Sequence, residues 1–598
     1  MAHTRTTPAD TPLGDDFHLY DTTLRDGAQR EGISYSVAEK LTTARTLDAL
    51  GVGFIEGGWP GALPKDTAFF ARAADELHLK HAALVAFGST RKPGRSAEQD
   101  PQVRALLDSR APVITLVAKS DRRHIERALR TDVAENCAMV RDTVRLLVAE
   151  GRRVFLDAEH FFDGYAADPA TALRVLDAAM GAGADVAVLC DTNGGQLPGR
   201  LAETVGEVAA RTGFRIGIHC QDDTGCAVAN TIAAVEAGAT HVQCTANGYG
   251  ERAGNADLFA VIGNLTTKLG MPVVPRPRLG DLTRTARALA ETAHLSPDRH
   301  QPYVGAAAFA HKAGLHASAI KADPALYHHI DPDVVGNGTR ILVSEMAGRT
   351  SLELKCLELG FGLDDLEVLS RAVARIKRLE AGGWSFEAAD ASLELLLHDE
   401  LTAAEPGGRG GPGRPFPPFT PLSYQVVERR APDGAVVSEA TVRLSLPDTD
   451  STEGTDGNDD MGGMDGTVGG PGTVGSAPAT GRSTREAAAT AEGNGPLEAL
   501  DAALRRALAP HLPWLDEVRL ADHSVRVLDA VADGSTDGSA DGTALTRVLV
   551  VSRDAEREWT TTGVHASVVV AAMQALTDAL AHKALRVAGR PRASVPAS

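Results

Sequence analysis

Three side chains in this sequence have the types and the setting of metal ligands. Asp26 lies in the stretch LYDTTLRDGAQREG, His219 lies at the end of the apolar run FRIGIHC, and Asn255 closes NGYGERAGN. Together they offer a carboxylate oxygen, an imidazole nitrogen and an amide oxygen, and an oxygen-rich set suits Mg²⁺ or Mn²⁺, with Zn²⁺ as the alternative. A site with few protein ligands also leaves positions open for substrate and water. The pattern predicts a divalent metal site of the catalytic type.

Gln221 is the fourth candidate ligand, because it follows His219 by two residues. Residues two apart on a strand face the same side, so the two side chains would point into the same space. The glutamine amide has an oxygen that can accept a hydrogen bond or bind a hard cation. The predicted metal set is therefore Asp26, His219, Gln221 and Asn255.

These ligands are far apart in the sequence and need a scaffold that brings them together. Eight short apolar runs rich in strand-forming residues occur between residues 17 and 247, and helical patterns separate them: FHLYDTT, VGFIEGG, AALVAFG, VITLVAK, RVFLDAE, VAVLCDT, FRIGIHC and HVQCTAN. After the first run, a capping box of Ser36 and Glu39 and a stop at Gly51 bound an amphipathic helix. Eight alternating units predict an α/β fold, a closed (β/α)₈ TIM barrel of parallel strands.

The chemistry of such barrels gathers at the carboxyl ends of the strands. The polar residues of this sequence occur at those ends: Arg25, Asp26, Glu56, Glu159, Asp191, Thr192, His219 and residues 247–255. A solvated loop would explain any one of them, but it would not explain their number. We expect them to converge on one mouth of the barrel.

The pattern changes after the barrel and predicts further domains. We expect a flexible N-terminus (1–16), the catalytic barrel (17–279), a helical linker subdomain (280–403), a Pro/Gly linker (404–418) and an α+β domain (419–592). Within the last domain, residues 447–495 are mostly Gly, Asp, Ser and Thr, which bury too little apolar surface to offset the entropy of ordering. They are predicted to be a disordered insert.

Composition excludes several classes of partner. The chain has 598 residues and a net charge of −19, and it lacks the basic stripe that nucleic-acid binding requires. No export signal and no run of about 18 apolar residues is found, so we predict no membrane span and a cytoplasmic location. The six cysteines show no CxxC pair and are expected to be reduced.

Four motifs carry a resemblance to a known family. LYDTTLRDGAQREG, HCQDDTG, NGYGERAGN and HKAGLHASA resemble the barrel enzymes that condense acetyl-CoA with 2-oxo acids, namely the isopropylmalate, homocitrate and citramalate synthases, and their acyl-CoA lyase relatives. FIEGGWPGALPKD, DAEHFFDGY, CDTNGG and GWSFEAADASLELLL are similar to the long citramalate synthases. The C-terminal α+β domain is similar to the leucine or isoleucine regulatory domain of the family.

The resemblance implies roles for individual residues. Asp26, His219 and Asn255 resemble metal ligands, Arg25 the arginine that steadies the 2-oxo acid carbonyl, and Thr192 the threonine that binds its carboxylate. Glu159 resembles a catalytic glutamate, and His316 and Tyr327 an acid/base pair that the neighbouring subunit often delivers. Glu56 is a further candidate for substrate binding, although a strand-end acid that pairs with an arginine is an equal alternative.

One position departs from the family pattern. The family commonly has H-x-H where this sequence has His219-Cys220-Gln221, so the second imidazole is absent. An amide in its place favours Mg²⁺ or Mn²⁺ over Zn²⁺. The opposite interpretation is that the site has lost its metal and its catalysis.

The resemblance implies a Claisen-type acyltransferase that converts acetyl-CoA, pyruvate and water to (R)-citramalate and CoA for isoleucine biosynthesis. The alternatives are a 2-isopropylmalate or homocitrate synthase acting on another 2-oxo acid, an acyl-CoA lyase, and an inactive amino-acid-sensing protein. A homodimer with an isoleucine or leucine effector at the C-terminal domain is also implied. Pyruvate and its homologues differ by one methylene, which a pocket discriminates by only about 1–3 kcal/mol.

Overall fold

The computed structural model describes residues 14–361, 365–404, 419–430, 432, 434, 436–447, 484–528 and 544–588. The chain divides into two compact units. The first comprises Met1–Ala310 and Pro324–Arg340, and the second comprises His311–Asp323 and Ile341–Ser598. Each unit has hydrophobic cores of its own.

The first unit contains the predicted closed barrel of eight parallel strands. The strands are β1 (His18–Asp21), β2 (Phe54–Glu56), β3 (Ala83–Ser89), β4 (Val113–Lys119), β5 (Arg153–Glu159), β6 (Val186–Asp191), β7 (Ile216–Cys220) and β8 (His241–Cys244). Each pairs with the next, and β8 pairs with β1, with His18 opposite His241. All eight predicted strands and the TIM-barrel fold are therefore confirmed.

Helices follow the strands of the first unit. They are α1 (Val37–Leu50), α2 (Pro64–Glu76), α3 (Pro101–Asp108), α4 (Arg122–Arg127), α5 (Val133–Ala149), α6 (Phe161–Ala167), α7 (Pro169–Met180), α8 (Pro198–Thr212), α9 (Ala227–Glu236), α10 (Leu258–Thr267), α11 (Arg276–Leu279) and α12 (Leu282–Thr292). The strands β9 (Ala310–His311) and β10 (Arg340–Ile341) lie where the chain passes between the units.

Helix α1 begins and ends as the sequence predicts. The Ser36 hydroxyl accepts a hydrogen bond from the Glu39 N–H at 3.2 Å, and the Glu39 carboxylate accepts one from the Ser36 N–H at 2.6 Å. Gly51 ends the helix at φ +100°, a left-handed conformation that glycine adopts without the steric cost of a Cβ. Leu41 and Leu47 on its inner face are buried, which holds α1 against the barrel.

Below the carboxyl ends of the strands, which form the mouth of the barrel, the barrel interior is a packed core. Its buried members are Tyr20, Phe54, Val85, Val113, Phe155, Val186, Val188 and Cys190. The rings of Phe54 and Phe155 meet edge to face, with centroids 5.2 Å apart. As in other barrels of this type, side chains fill the interior, so open space is left at the mouth rather than along the axis.

The second unit combines helices with two antiparallel sheets. Its elements are α13 (Gly314–Ala322), α14 (Arg349–Glu358), α15 (Leu366–Ala381), α16 (Asp390–Ala404), β11 (Thr420–Arg430), β12 (Val436–Pro447), β13 (Thr484–Gly493), α17 (Pro496–Leu508), β14 (Arg519–Leu528), β15 (Leu545–Arg553), β16 (Glu558–His565) and α18 (Val568–Ala588). The sheets have the orders β11-β12-β13 and β14-β15-β16. Helix α17 packs on the first sheet and α18 on the second.

Helix α18 is long and apolar enough, by length and composition, to cross a membrane. Its inner face contributes Ala571, Leu576 and Leu580 to the buried core of the second unit. The core helix of a globular domain has this same composition, and α18 packs as such a helix.

Two predicted boundaries need correction. Strand β13 occupies 484–493, inside the predicted disordered insert; its alternate alanines Ala487, Ala489 and Ala491 pack against the core, and such small side chains gave too weak an apolar signal. The segment 280–403 is not one subdomain, because α12 and residues 324–340 belong to the first unit. Residues 1–13, 405–418 and 448–483 lie outside the described residues, and so do the corresponding predictions.

Candidate active site

A cavity of about 490 Å³ opens at the carboxyl ends of the barrel strands. Residues that end or follow all eight strands line it. They include six of the predicted site residues: Arg25, Asp26, Glu159, Thr192, His219 and Gln221. Side chains separated by almost 200 residues of sequence thus share one space.

The four predicted metal ligands lie together. His219 Nε2 is 3.1 Å from Asp26 Oδ2, and Gln221 Nε2 donates to the same oxygen at 3.2 Å. The backbones of Gln221 and Asn255 form an isolated antiparallel bridge, which brings the end of β7 and the loop after β8 side by side. All four residues are buried.

Two amide oxygens in this group lack a partner. Among the described residues, neither Gln221 Oε1 nor Asn255 Oδ1, both buried, makes a hydrogen bond, and leaving such a group unsatisfied costs about 1–3 kcal/mol. The described residues contain no group of three or more His, Cys, Asp or Glu placed to hold a metal ion, and half of this donor set is amide oxygen. One carboxylate, one imidazole and two unpaired amide oxygens fit a hard divalent cation.

Asp26 and His219 each stabilise the charged form of the other. Burial alone would raise the pKa of Asp26, but Arg25 and His219 hold it well below its ordinary value. Burial would lower the pKa of His219, but its hydrogen bond with Asp26 and the charge of that carboxylate raise it to about 9. Asp26 therefore carries a negative charge at neutral pH.

Arg25 is held on two sides. Its Nε donates to Glu56 Oε2 at 2.7 Å, and its guanidinium lies 3.9 Å from the centre of the Phe87 ring. Burial would lower its pKa, but Glu56 and Asp26 raise it further above its ordinary value. The guanidinium is thus permanently charged and has a fixed orientation at the wall of the cavity.

The structure does not support Glu56 as a substrate-binding residue. Its side chain is fully buried and does not line the cavity. The oxygens of its carboxylate are occupied by Arg25, by the Tyr20 hydroxyl at 2.6 Å and by the Thr22 hydroxyl. Glu56 instead orients Arg25, because a strand-end acid on β2 faces the arginine that follows β1.

Glu159 and Thr192 line the cavity at the ends of β5 and β6. The Glu159 carboxylate forms an ion pair with Lys119, which ends the adjacent strand β4. The Thr192 hydroxyl accepts a hydrogen bond from the His160 N–H at 2.8 Å. His160 has a left-handed backbone (φ +58°) and its ring stacks on His124 at 3.8 Å.

The predicted acid/base pair is divided between the two units. His316 is part of helix α13 in the second unit, and Tyr327 follows the short 3₁₀ turn Pro324–Leu326 in the first. Tyr327 is 41% exposed and is not among the cavity-lining residues in the described part of the chain. The roles of these two residues remain predictions.

Sequence reasoning missed three polar residues of the site. Lys119 is not among the predicted site residues, although it ends β4 and functional residues of such barrels lie at the carboxyl ends of the strands. Asp157 and Gln243 lie within β5 and β8, and Gln243 bridges the Asp157 carboxylate and the His219 ring. A single polar residue in an otherwise apolar strand was the available signal for both.

Comparison with known proteins identifies three families along the chain. Residues 16–289 match the HMGL-like family, residues 303–383 the homocitrate synthase post-HMGL domain-like family, and residues 478–584 the LeuA allosteric (dimerisation) domain. The three matches follow the order of the barrel, the helical segment and the C-terminal sheets.

Curated relatives match over unequal lengths. An (R)-citramalate synthase of Streptomyces coelicolor is 53% identical over 590 residues, 98% of this chain and 99% of that protein. One of Synechocystis is 42% identical over 94% of this chain and 95% of that protein. A 2-isopropylmalate synthase of Heliobacterium modesticaldum is 32% identical over 64% of this chain and 74% of that protein. The chain therefore belongs to the (R)-citramalate synthase family, as its motifs predicted.

Proposed function

We propose that this enzyme condenses acetyl-CoA with pyruvate and water to form (R)-citramalate and free CoA. The observation that carries the proposal is the match over 98% of the chain to an (R)-citramalate synthase at 53% identity. The shorter match to a 2-isopropylmalate synthase makes 2-oxoisovalerate the less favoured substrate.

Enzymes of the HMGL-like family generally depend on a divalent metal ion. In this chain Asp26, His219, Gln221 and Asn255 would hold it, and the two amide oxygens favour Mg²⁺ or Mn²⁺ over Zn²⁺. When bound, the ion supplies a Lewis acid that polarises the carbonyl of the 2-oxo acid. The unpaired Gln221 Oε1 and Asn255 Oδ1 are the feature of this chain that supports such a site.

Arg25 stabilises the oxygen on which negative charge develops. Glu56 and the Phe87 ring hold its guanidinium, so the remaining N–H groups need no reorganisation during the reaction. Fixed donors of this kind act more strongly on the transition state than on the substrate. Arg25 also keeps its charge at neutral pH.

Thr192 binds the carboxylate of the 2-oxo acid. Its oxygen accepts a hydrogen bond from the His160 N–H, and so the hydroxyl proton remains available for donation. A carboxylate accepts hydrogen bonds only, which makes it the natural partner of this proton. The substrate is thereby oriented with its reactive carbonyl toward Arg25 and Asp26.

The acetyl-CoA methyl group must lose a proton before the new bond forms. We assign its removal to His316, with Tyr327 as the orienting acid and Glu159, paired with Lys119, as the residue that positions a proton carrier. The carbanion forms a C–C bond to C2 of the 2-oxo acid, whose oxygen takes up a proton. Water then hydrolyses the thioester and releases CoA as a thiol.

The C-terminal unit supports a regulated homodimer. Residues 478–584 match the LeuA allosteric (dimerisation) domain, which favours dimerisation through this unit and an isoleucine or leucine effector. Calorimetry with isoleucine and with leucine tests for the effector. If neither amino acid gives a heat of binding, the proposed effector is wrong.

The reaction is tested by release of CoA thiol from acetyl-CoA. Pyruvate, 2-oxobutyrate, 2-oxoisovalerate and 2-oxoglutarate are supplied in turn with Mg²⁺ or Mn²⁺, and again with a chelator. We expect the highest kcat/KM with pyruvate and loss of the signal with chelator. A higher kcat/KM with another 2-oxo acid would replace the proposed substrate, and no release with any of them would favour the amino-acid sensor.

A further inference from the structure

Gln243 is a buried residue of β8 that contacts the site from behind. Its side chain is 1% exposed and does not line the cavity, so it cannot touch a substrate. Both ends of its amide nevertheless contact polar groups of the barrel interior. Oε1 lies 2.7 Å from His219 Nδ1, and Nε2 donates to Asp157 Oδ1 at 2.8 Å.

Asp157 in its charged form sets which way the amide of Gln243 faces, because its carboxylate accepts from Gln243 Nε2. With the opposite orientation, the amide oxygen would face an oxygen of Asp157 and the amide NH₂ would face His219. In the orientation found, Oε1 is turned to His219, and a carbonyl oxygen only accepts hydrogen bonds. His219 Nδ1 must therefore carry the hydrogen.

The rest of the imidazole follows from this contact. With Nδ1–H bound to Gln243, the ring is held with Nε2 toward Asp26, 3.1 Å from its Oδ2. This is the nitrogen that a neutral imidazole can offer to a cation. A histidine that binds a metal usually donates its other N–H to a fixed acceptor, which sets its tautomer and orientation.

We propose that Gln243 is a positioning residue that holds His219 for metal binding, with Asp157 as its anchor. The inference rests on the proposed metal site and deepens it. It matters more in this chain than in one with two imidazole ligands, because His219-Cys220-Gln221 offers a single imidazole. A ring free to rotate or to change tautomer would leave mainly Asp26 and the two amide oxygens.

Direct titration of the full-length protein with Mn²⁺, after removal of metal with a chelator, tests the proposal. Calorimetry and the electron paramagnetic resonance signal of free Mn²⁺ give the Kd without any substrate. We expect Gln243→Leu to weaken Mn²⁺ binding by roughly 10- to 100-fold. We expect thiol release by this variant to recover to within a few-fold of wild type at saturating Mn²⁺, which a general structural defect would not allow.

Three further variants sharpen the experiment. Cys244→Ala removes a buried side chain from the next position of β8 and should leave the Kd within twofold. Asp157→Asn keeps an acceptor oxygen for Gln243 and should retain most of the affinity. Gln243→Met, which keeps the length of the side chain without its amide, is measured beside Gln243→Leu so that poor folding of one variant leaves the test intact.

The experiment distinguishes a wrong role for Gln243 from a wrong metal site. Mn²⁺ binding by both Gln243 variants within twofold of wild type would overturn the positioning role. An equal loss of affinity in Cys244→Ala would also overturn it, since the effect would then come from packing. If the wild-type protein binds no Mn²⁺ and its thiol release survives the chelator, the proposed metal site fails and the role of Gln243 fails with it.

Discussion

The two ends of the barrel hold similar residues but differ in how completely the hydrogen-bonding atoms of those residues are paired. At the mouth are Asp26, His219 and Arg25; at the other end, where the strands begin, are His18, His241, Asp15, Arg153, Arg215 and Asp185. In this lower cluster His18 Nδ1 lies 3.2 Å from His241 Nδ1, and His18 Nε2 lies 3.0 Å from Asp15 Oδ1 and 2.9 Å from an Arg215 nitrogen. Both clusters combine imidazole, carboxylate and guanidinium groups.

The two clusters differ in whether their buried side-chain atoms all have hydrogen-bond partners. In the lower cluster both nitrogens of His18 have partners, and Arg153 Nε donates to Asp185 at 2.7 Å. At the mouth, Gln221 Oε1 and Asn255 Oδ1 are buried and have no hydrogen-bond partner among the described residues, and Gln221 lines the cavity of about 490 Å³. Residue type therefore does not identify a site; unpaired acceptors next to open space do.

The largest effect is expected from Asp26→Asn. This change removes the carboxylate on which His219 and Gln221 converge, and we expect thiol release with pyruvate to fall at least about 1,000-fold, or about 4 kcal/mol. The same substitution in the lower cluster, Asp15→Asn, is the control and should leave the rate within twofold. Comparable losses in both variants would show that the ends of the barrel do not differ as argued.

A second imidazole at the mouth should change metal preference. Gln221→His places a softer nitrogen donor where an unpaired amide oxygen lies now, so Zn²⁺ binding should tighten roughly 10- to 100-fold relative to Mg²⁺. Competition between the two ions, followed by calorimetry, gives the ratio. An unchanged ratio would mean that residue 221 does not contact the metal.

The fold and the list of mouth residues were predictable from the sequence for one reason. Strand ends in a parallel barrel must meet, and so a local pattern of apolar runs followed by polar residues specifies a distant constellation. Arg25, Asp26, Glu159, Thr192 and His219 lie on the cavity for that reason.

The partners of Glu56 and the contacts of Gln243 were not predictable. A single sequence shows that Glu56 ends β2, but it does not show that Tyr20 and Thr22 occupy its oxygens. Those contacts depend on the stagger of strands around the barrel, which no local pattern encodes. The alanine strand β13 was missed because its apolar face is made of side chains too small to mark a strand.

The lower cluster should respond to acid. Burial, with His18, Arg153 and Arg215 nearby, lowers the pKa of His241 well below 6.5, so the folded chain keeps this ring neutral while the unfolded chain binds a proton. Stability is then full above pH 6.5 and falls as the pH drops below it, by at most about 1.4 kcal/mol per pH unit for one proton. His241→Gln should remove this contribution.

Urea unfolding at pH 7.5 and pH 5.5 measures the effect. The free energy of unfolding should fall less between these values in His241→Gln than in wild type, because carboxylates elsewhere contribute equally to both proteins. An equal fall in the two proteins would show that His241 is protonated in the folded state.

The smallest effect is expected from Asp15→Asn at the edge of the lower cluster. The Asp15 side chain is 69% exposed, and its contacts with Arg153 at 2.9 Å and His18 at 3.0 Å are screened by water. Exposed pairs contribute about 0–1 kcal/mol, and Arg153 keeps its contact with Asp185. We expect urea unfolding at pH 7.5 to show a loss below about 1 kcal/mol. A larger loss would mean that the buried His18 depends on the Asp15 charge, and the lower cluster would then be as sensitive to its carboxylate as the mouth.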